Sequence, residues 1–345
     1  MARKGLPLQP RLAASLLAWF DRRGRKLPWR TRGRRDPYRV WLAEIMLQQT
    51  TVAAVVPYFR RFLKKWPHVQ ALASAKSASV LKEWAGLGYY ARARNLHKTA
   101  RMVARNFGGR FPETREGLQA LPGIGPYTAA AIAAIAFGKR EAAIDANALR
   151  VMARLLGCRS RGTRLRREAE KSLAGMLPDK RLGDFAEALM DLVATVCAPR
   201  APRCPACPWR AACRAYALGR TRDFPVRRLK KPRPRRRATM YWIEKSGSVL
   251  VRRRPEHGLL GGMLELPSSR WGNGRARPPF PARWKRLPGK LRHTFSHFEL
   301  EFAILAAKTS GTPPVAGGYW MKKKRLLSAG FPSVMKKAIR KALDA

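Results

Sequence analysis

The chain has 345 residues, a length typical of two or three domains. Hydrophobic residues make up 46% of it and include 10 Trp, 13 Phe and 8 Tyr, which excludes a wholly disordered chain. The 72 Lys and Arg outnumber the 21 Asp and Glu, and the resulting net charge of +51 favours a polyanionic partner, with nucleic acid the first candidate.

The beginning of the chain predicts a helix rather than a targeting segment. Leu12, Leu16 and Trp19 recur at the spacing of a buried helix face, although a first acid at Asp21 leaves a transit peptide open. The longest apolar run, Thr128–Phe137, is shorter than the roughly 18 residues of a membrane helix. We therefore expect no membrane association, and a cytoplasmic, nucleoid-associated protein of bacterial type.

From Leu12 to about Ala217 the hydrophobic pattern is helical. Apolar residues recur at intervals of three and four, as in Val40–Leu47 and Leu189–Val196, and short Gly/Pro breaks separate the segments. The pattern predicts an all-α region of about ten helices.

The pattern changes after residue 220. Arg220–Arg237 contains ten basic residues and three prolines and predicts an exposed basic linker. Thr239–Glu244, Ser248–Arg252 and Phe298–Ala306 are typical of strands, and Ser333–Leu343 of a closing helix. A smaller α/β domain is expected to follow the helical region.

Four of the five cysteines lie within 17 residues, in the order Cys197-x6-Cys204-x2-Cys207-x5-Cys213. A disulfide framework would spread them along the chain. A structural zinc site usually has two short Cys-x2-Cys pairs or includes His, whereas this loop has one short pair and no nearby His. The spacing therefore favours a [4Fe–4S] cluster in a reducing compartment.

Two further features bear on chemistry. Leu121-Pro122-Gly123-Ile124-Gly125 lies between two predicted helices, and its glycines allow backbone N–H groups to face a phosphate, although an ordinary helix–helix turn fits this pattern as well. Asp145 follows Gly125 by 20 residues and precedes the predicted helix Ala146–Leu156. It suits a helix N-cap and also a carboxylate beside a developing cation.

Glu44 is the one acid of the predicted helix Trp41–Gln49 and has apolar neighbours on both sides. A solvated surface glutamate is one interpretation. If the neighbours desolvate it, its pKa rises and it can serve as a general acid.

The cysteine loop, the hairpin and the aspartate occur together in the helix-hairpin-helix DNA glycosylases of the endonuclease III superfamily. Within that superfamily the chain resembles the adenine DNA glycosylases of the MutY type. The matching stretches are Leu27–Arg30, Ala43–Thr50, Gly86–Leu96, Pro126–Thr128 and Arg292–Phe298.

The resemblance implies a mainly α N-terminal region, followed by a smaller α/β Nudix-like domain. Residues 1–219 would form the glycosylase region, with a six-helix barrel at about 31–138 and an iron–sulfur domain made of 1–30 and 139–219. Residues 220–237 would be the linker, and 238–345 the lesion-recognition domain.

The implied substrate is double-stranded DNA in which adenine is mispaired with 8-oxoguanine or guanine. Glu44 would protonate the adenine and then help to activate water, while Asp145 would stabilise an oxocarbenium-like sugar; Tyr127 and Asn147 would support them. Gln49 and Tyr89 would enter the base stack. The residues expected to contact the substrate in this region are Arg25, Trp29, Arg30, Leu47, Gln48, Gln49, Tyr89, Glu187 and Met190.

The resemblance also implies a monomer with one [4Fe–4S] cluster, and a monovalent or divalent cation at the hairpin is a further expectation. The Nudix-like part lacks the Glu-rich helix that binds Mg²⁺ in Nudix hydrolases, so it is interpreted as a recognition module. Phe295, Ser296 and His297 would form a loop near 8-oxoguanine. One departure from the family is Ala146, where a Gly usually follows the catalytic Asp.

Two alternatives remain open. An endonuclease III-type glycosylase/lyase for oxidised pyrimidines would need a Lys for a Schiff base, but Tyr127 stands at that position and Lys139 lies at the far end of the helix. A non-catalytic DNA-binding protein would use the hairpin and the cluster for grip alone, which leaves Glu44 and Asp145 without a role.

Overall fold

The computed structural model describes residues 8–31, 33, 35–226, 232–255, 258–272 and 277–345. The chain folds into two compact units: Met1–Ser74 with Asn95–Leu229, and Ala75–Arg94 with Lys230–Ala345. A helical region followed by an α/β region is the predicted fold class, which is confirmed. Of the predicted linker, residues 227–231 lie outside the described part of the chain.

The described residues up to Ala217 contain twelve α-helices, slightly more than the ten expected, because three of them are only one turn long. They are α1 (Leu8–Arg23), α2 (Pro37–Leu47), α3 (Val52–Lys65), α4 (Val69–Ala73), α5 (Ser77–Trp84), α6 (Ala91–Asn106), α7 (Arg115–Gln119), α8 (Pro126–Phe137), α9 (Ala146–Leu156), α10 (Gly162–Met176), α11 (Leu182–Thr195) and α12 (Arg214–Ala217).

Helix α2 owes its start to two local signals. The Asp36 side chain accepts a hydrogen bond from the Tyr38 N–H at 2.9 Å, and Pro37 supplies the fixed φ that suits the first helical position. The helix ends at Leu47, two residues earlier than predicted, because Gln48 leaves the helical region and Gln49 has a φ of +59°. This early end brings residues 48 and 49 out of the helix as a turn.

The predicted hairpin connects α7 and α8. Gly123 has a φ of +80°, and a Cβ at this position would lie 2.7 Å from the Cβ of Asn95, so the turn requires glycine. Gly125 caps α8, and no side chain caps this helix end. The first N–H groups of α8 are therefore left for another acceptor.

The second unit is built on a seven-stranded mixed sheet. Its path is β3-β2-β1-β6-β4, with β5 paired to β6 and β7 paired to β2; only the β1–β6 pair is parallel. The elements are β1 (Arg235–Lys245), β2 (Ser248–Arg253), β3 (Leu264–Glu265), β4 (Lys285–Arg286), β5 (Leu291–Thr294), β6 (Glu299–Lys308), β7 (Gly318–Lys322), α13 (Lys323–Leu326) and α14 (Ser333–Leu343).

Two features of this unit differ from the predictions. Strand β1 begins at Arg235, inside the predicted linker, because residues 235–237 pair in register with Glu299–Glu301 of β6. A run of basic side chains does not prevent a strand whose backbone has a partner. Helix α5, expected in the helical barrel, belongs to the second unit, where the Arg94 side chain donates a hydrogen bond to the Gly261 carbonyl at 2.5 Å.

The two faces of the sheet have separate cores. Phe298, Leu300 and Phe302 of the β6 segment point to one face, where α13 and α14 cover them. Tyr241, Ile243 and neighbouring apolar residues form a smaller cluster on the opposite face. The β6 strand is therefore buried on one side along its length and on the other side only in part.

No helix lies between β2 and β3 in the part of this segment that the structure describes. The one carboxylate of β3, Glu265, is 1% exposed and is paired with Arg252 at 2.8 Å and with Arg254. Among the described helices, none is long and apolar enough to cross a membrane.

Candidate active site

A cavity of about 920 Å³ opens in the helical unit. Its walls come from the segment before α2, from α2 and the turn after it, from the start of α8, from the start of α9 and from α11. The structure brings together here every predicted site residue of this unit outside the hairpin and the cysteine loop: Arg25, Trp29, Arg30, Glu44, Leu47, Gln48, Gln49, Tyr127, Asp145, Asn147, Glu187 and Met190.

Glu44 lies on the wall formed by α2 and is 7% exposed. Burial is the main cause that raises the pKa of its carboxyl to about 7; the charges of Glu187 and Asp145 contribute to the rise, and Arg30 opposes it. The surface interpretation of Glu44 is therefore wrong. A carboxyl with a pKa near neutrality carries a proton that it can donate.

Tyr127 faces the same carboxylates from the second position of α8. Burial raises the pKa of its phenol, and the charges of Glu44 and Asp145 raise it further, so the hydroxyl keeps its proton. A phenol in this state can donate a hydrogen bond to a neighbouring carboxylate. Next to it, the Gln48 side-chain amide donates to the Thr128 hydroxyl at 3.1 Å, which joins the turn after α2 to α8.

Asp145 serves as the N-cap of α9 and lines the cavity as well. Its Oδ1 accepts from the N–H groups of Asn147 and Ala148 at 2.9 and 2.7 Å, and its Oδ2 accepts from the Asn147 side chain at 2.8 Å. The two interpretations of Asp145 are therefore compatible. Ala146 is the first residue of α9 and has no positive φ, so it replaces the family's glycine without strain.

Two buried arginines of α9 extend this arrangement to the cysteine loop. Arg150 donates to the Asn147 side chain at 2.7 Å and to the Cys197 carbonyl at 3.1 Å. Arg154 donates to Sγ of Cys197 at 3.3 Å and to the Ala198 carbonyl at 2.8 Å. Neither arginine was identified from the sequence, because a basic residue in a helix of this chain is ordinary until its burial is known.

An ion-pair network supports the opposite wall. Asp191 is fully buried and accepts from Arg25 Nε at 2.6 Å and from both terminal nitrogens of Arg30 at 2.8 and 2.9 Å. Burial alone would raise the pKa of Asp191, but the hydrogen bonds from Arg30 and Arg25 hold it below its ordinary value. Arg25 and Arg30 are thus occupied by Asp191 rather than pointing unpaired into the cavity.

The same network reaches Glu187. This carboxylate is 4% exposed and pairs with Arg35 at 2.9 Å, and Arg35 also pairs with Asp184. Burial raises the pKa of Glu187 although Arg30 and Arg35 oppose the rise. Sequence reasoning missed Arg35, Asp184 and Asp191; the available signal was the recurrence of acids at 184, 187 and 191 on one face of an otherwise apolar helix.

The four cysteines of the loop surround two short 3₁₀ turns, and all four are half-buried. Burial is the main cause that raises the pKa of the Cys207 thiol to about 12, and the charges of Cys197, Cys213 and Cys204 contribute to the rise. The described residues contain no group of three or more His, Cys, Asp or Glu side chains already arranged to hold a metal ion. The donor set fits an iron–sulfur cluster in kind and number.

Gln49 and Tyr89, the two residues predicted to enter the base stack, both have left-handed backbone conformations, with φ of +59° and +48°. Such a conformation is unfavourable for a non-glycine residue and often marks a functional position. Gln49 is exposed at the cavity, whereas Tyr89 belongs to the second unit, where its side chain is 48% exposed.

The predicted recognition loop is the tip of the β5–β6 hairpin. The N–H of Phe295 donates to the Phe298 carbonyl at 2.9 Å, which leaves Ser296 and His297 exposed at the turn. The Phe295 ring stacks on Phe298 with 4.7 Å between centroids, and it also contacts Trp271. Ser296 Oγ lies 3.3 Å from Nδ1 of His297, so two polar groups share one tip held by packed rings.

Comparisons with known proteins agree with this geometry. The model of the HhH-GPD superfamily of base excision DNA repair proteins matches residues 42–177, and the NUDIX domain model matches residues 238–341. The human adenine DNA glycosylase is 34% identical over 94% of this chain and 73% of its own length. The chain belongs to the adenine DNA glycosylase family.

Other adenine DNA glycosylases and two solved structures agree. The enzyme from Mus musculus is 33% identical over 95% of this chain and 77% of its own length. A thermostable thymine-DNA glycosylase structure is 31% identical, with a TM-score of 0.54, and covers 60% of this chain and 95% of that one. A non-covalent endonuclease III–DNA complex is 25% identical, with a TM-score of 0.51, and covers 60% and 94%.

Family membership identifies the chain as a base-excision repair DNA glycosylase, an enzyme that acts on N-glycosyl bonds. The helical match to the endonuclease III structure and the NUDIX match agree with the two predicted parts of the fold.

Replacing Asp191 with Ala is expected to lower the free energy of unfolding by about 3–5 kcal/mol, because Arg25 and Arg30 would lose a buried partner. Asp179→Ala is the matched control, since its carboxylate is 98% exposed and pairs with Arg140 on the surface. Urea denaturation of the full chain, followed by circular dichroism, measures the free energy of unfolding of both variants. Equal stability of the two variants would show that the Asp191 network does not support the cavity wall.

Proposed function

We propose that this enzyme excises adenine mispaired with 8-oxoguanine or guanine in double-stranded DNA. The observation that carries the proposal is the buried carboxyl of Glu44, with a pKa of about 7, facing Asp145 in a cavity of about 920 Å³. A cavity of this volume is within the usual range for small-ligand sites and accommodates a flipped purine.

In the proposed mechanism Glu44 acts first as a general acid. Adenine is a poor leaving group, and a proton on N7 neutralises the charge that develops as the glycosidic bond breaks. The electrons of that bond leave with the protonated adenine, and the sugar becomes oxocarbenium-like. After donating its proton Glu44 is a carboxylate and can accept a proton from the attacking water.

Asp145 supports the second half of the reaction. Its two oxygens are held by Asn147 and by the start of α9, so the carboxylate is oriented before the substrate arrives. It stabilises the sugar cation electrostatically or through a transient covalent bond; both routes lead to the same hydrolysed product. The protonated Tyr127 hydroxyl lies close enough to influence both carboxylates.

Excision requires the adenine to leave the helix, which costs a few kcal/mol of unstacking. Gln49 and Tyr89 are proposed to fill the stack and offset part of this cost, because both are exposed on strained turns. The hairpin Leu121–Gly125, followed by the N-terminus of α8, is proposed to hold a DNA phosphate, with a monovalent or divalent cation as an aid.

The β5–β6 tip is proposed to recognise 8-oxoguanine. This base differs from guanine by an oxygen at C8 and a hydrogen on N7, so its reader needs polar groups at that edge. Ser296 and His297 supply a hydroxyl and an imidazole there, and Phe295 anchors the turn by its contacts with Phe298 and Trp271.

Cys197, Cys204, Cys207 and Cys213 are proposed to hold one [4Fe–4S] cluster. When bound, it would cross-link the loop; no redox step is needed for hydrolysis. Arg154 already donates to the Cys197 sulfur, so a negatively charged thiolate at this position has a cation beside it. The enzyme is proposed to act as a monomer on chromosomal DNA, in the cytoplasmic nucleoid of a bacterial cell.

A lyase acting through a Schiff base is less well supported. Tyr127 occupies the position where a lysine would be needed, and Lys139, beyond the far end of α8, pairs with Glu113 at 3.1 Å. A non-catalytic DNA-binding protein would not need a buried glutamate, because burying a carboxyl group costs free energy.

Glu44→Gln is expected to abolish adenine excision and leave binding to the mispair within a few fold. The substitution keeps the shape but removes the proton donor, and general acid catalysis contributes ~10²–10⁴ in rate. Single-turnover excision at saturating enzyme measures the effect, with Glu170→Gln on the surface as the control. Substantial residual excision by the Glu44 variant would rule out this residue as the acid.

The pH profile of the wild-type enzyme gives an independent check on the same carboxyl. Its pKa is raised to about 7, and the protonated form is the active one, so the single-turnover rate should fall as pH rises through 7. A rate that stays constant well above pH 7 would contradict the assignment.

The purified protein is expected to contain about four irons per chain and to absorb broadly near ~400 nm. Cys204→Ser and Cys207→Ser should lose iron and yield less folded protein, whereas Cys158→Ser, outside the loop, should keep both. Iron analysis and absorbance of anaerobically prepared protein give the result. Stoichiometric zinc without iron would refute the cluster.

Ser296→Ala/His297→Ala is expected to narrow the preference for adenine opposite 8-oxoguanine over adenine opposite guanine by about one to two orders of magnitude, because hydrogen bonds at a base edge contribute ~1–3 kcal/mol of discrimination. Excision at saturating enzyme should change much less. Ser310→Ala, an exposed serine in the same unit, provides the comparison. An unchanged preference for 8-oxoguanine over guanine would show that other residues recognise the lesion.

A further inference from the structure

The face of the sheet opposite α13 and α14 is only half covered. Around Tyr241 and Ile243 it is closed by Phe280, Trp284 and Val315. Towards the start of β1 it opens into a groove of about 410 Å³, lined by β1, β4, the segment before β5, and β6. The lining side chains include Arg237, Thr239, Arg286, Lys290, Glu301 and Ala303.

Strand register places a group of basic side chains on this open face. Arg235 and Arg237 of β1 lie opposite Glu299 and Glu301 of the parallel strand β6, and Arg292 of β5 lies opposite Glu301 from the other side. Arg236, between the first two, turns to the covered face and stacks on the Phe298 ring at 4.4 Å. The described part of this open face thus carries Arg235, Arg237, Arg286, Lys290 and Arg292 against Glu299 and Glu301.

The two carboxylates are already neutralised. Glu301 pairs with Lys290 at 3.2 Å and with Arg292 at 3.4 Å, and Glu299 pairs with Arg235 at 3.8 Å. Within the described residues, the side chains of Arg237 and Arg286 have no ion-pair partner, and both are exposed beside the groove. The face therefore has an excess of positive charge and two cations available to an external anion.

The groove and the proposed recognition tip share strand β6. Strand β6 lines the groove through Glu301 and Ala303, and at its other end β6 meets β5 at the turn of Ser296 and His297, so a duplex contacted by the tip would continue alongside β6. We propose that this basic face, defined by Arg235, Arg237, Arg286, Lys290 and Arg292, binds the phosphodiester backbone of the DNA duplex that flanks the lesion. The proposal rests on the proposed function, because the tip defines which duplex is meant.

Phosphate contacts fix position and carry no base information. The basic face should therefore strengthen binding to damaged and undamaged duplexes equally and leave the preference for 8-oxoguanine unchanged. The tip variant Ser296→Ala/His297→Ala should do the reverse. These opposite patterns distinguish the basic face from the hairpin tip.

The test uses the full chain with its cluster and measures duplex affinity by fluorescence anisotropy over a range of NaCl concentrations. Arg237→Gln/Arg286→Gln should reduce the slope of log affinity against log salt concentration by about 2, or about 1 for each lost phosphate contact. It should weaken binding to the damaged and the undamaged duplex by the same factor. Lys324→Gln/Arg340→Gln removes the same charge from α13 and α14, on the covered side, and should leave the slope unchanged.

Glu301→Gln is expected to change the duplex affinity in the opposite direction. Removing this carboxylate releases Lys290 and Arg292 towards the groove, so binding to both duplexes should tighten, which a misfolded protein would not show. The proposal would be overturned if the salt slope of Arg237→Gln/Arg286→Gln equalled that of the control variant. It would also be overturned if this variant lost binding to an acidic peptide or single-stranded RNA but bound duplex DNA unchanged. Because undamaged duplex suffices, absence of adenine excision would refute the proposed function and leave this test valid.

Discussion

The burial of the Glu44 carboxyl among other carboxylates is the constraint on which the catalytic site depends. Glu187 and Asp145 both raise its pKa, and apolar neighbours on α2 remove the water that would otherwise ionise it. Three acids in one cavity would repel one another if all were ionised. The arrangement is stable because Glu44 keeps its proton near neutral pH and arginines or helix N–H groups hold the other two.

The other two carboxylates, Glu187 and Asp145, are each stabilised by different neighbouring groups. Arg30 and Arg35 flank Glu187, while Asp145 is held by the N-terminus of α9 and by Asn147. The helix N-terminus carries partial positive charge, which favours an ionised group there. The protein thus sets one acid apart from its neighbours by environment, a division of roles that general acid catalysis requires.

Helix α9 gives the cysteine loop a physical link to this chemistry. Its N-cap is Asp145, the proposed catalytic aspartate, its first turns carry Asn147 and Arg150, and Arg154 donates to the Cys197 sulfur and to the backbone of the loop. A loop held by a cluster would fix both arginines, and they in turn fix the orientation of Asn147. A structural cofactor can therefore matter for the position of Asp145 without taking part in electron transfer.

The proposed recognition groups lie in the second unit, apart from the cavity that holds Glu44 and Asp145. Its β5–β6 hairpin offers two polar groups at the tip, and its open sheet face carries basic side chains on β1, β4 and β5 and in the segment before β5. Base contacts and phosphate contacts have different physical consequences, because only the former depend on the identity of the base. In the proposed arrangement one sheet would set the position of the duplex through its face and read the lesion through its hairpin tip.

Local features of the sequence were enough to predict many elements. Helices α9 and α14 have the bounds expected, because an N-cap aspartate, a terminal glycine and regular apolar spacing act within a few residues. The hairpin and the cysteine loop were recognisable for the same reason. Residues that line the cavity were predicted only with the family resemblance, since their spacing along the chain carries no distance information.

The tertiary structure alone decided what depends on groups distant in sequence. Asp191 meets Arg25 and Arg30 across more than 160 residues, so no local pattern shows that these arginines are occupied. Glu44 becomes a proton donor only because folding removes its water and brings Asp145 and Glu187 near. Arg235–Arg237 become a strand because β6 supplies backbone partners, a nonlocal condition that overrides their linker-like composition. The sequence by itself determined which reactive and charged groups are present and which local elements carry them. Burial and long-range pairing determined the protonation of these groups, their partners and their place in the fold.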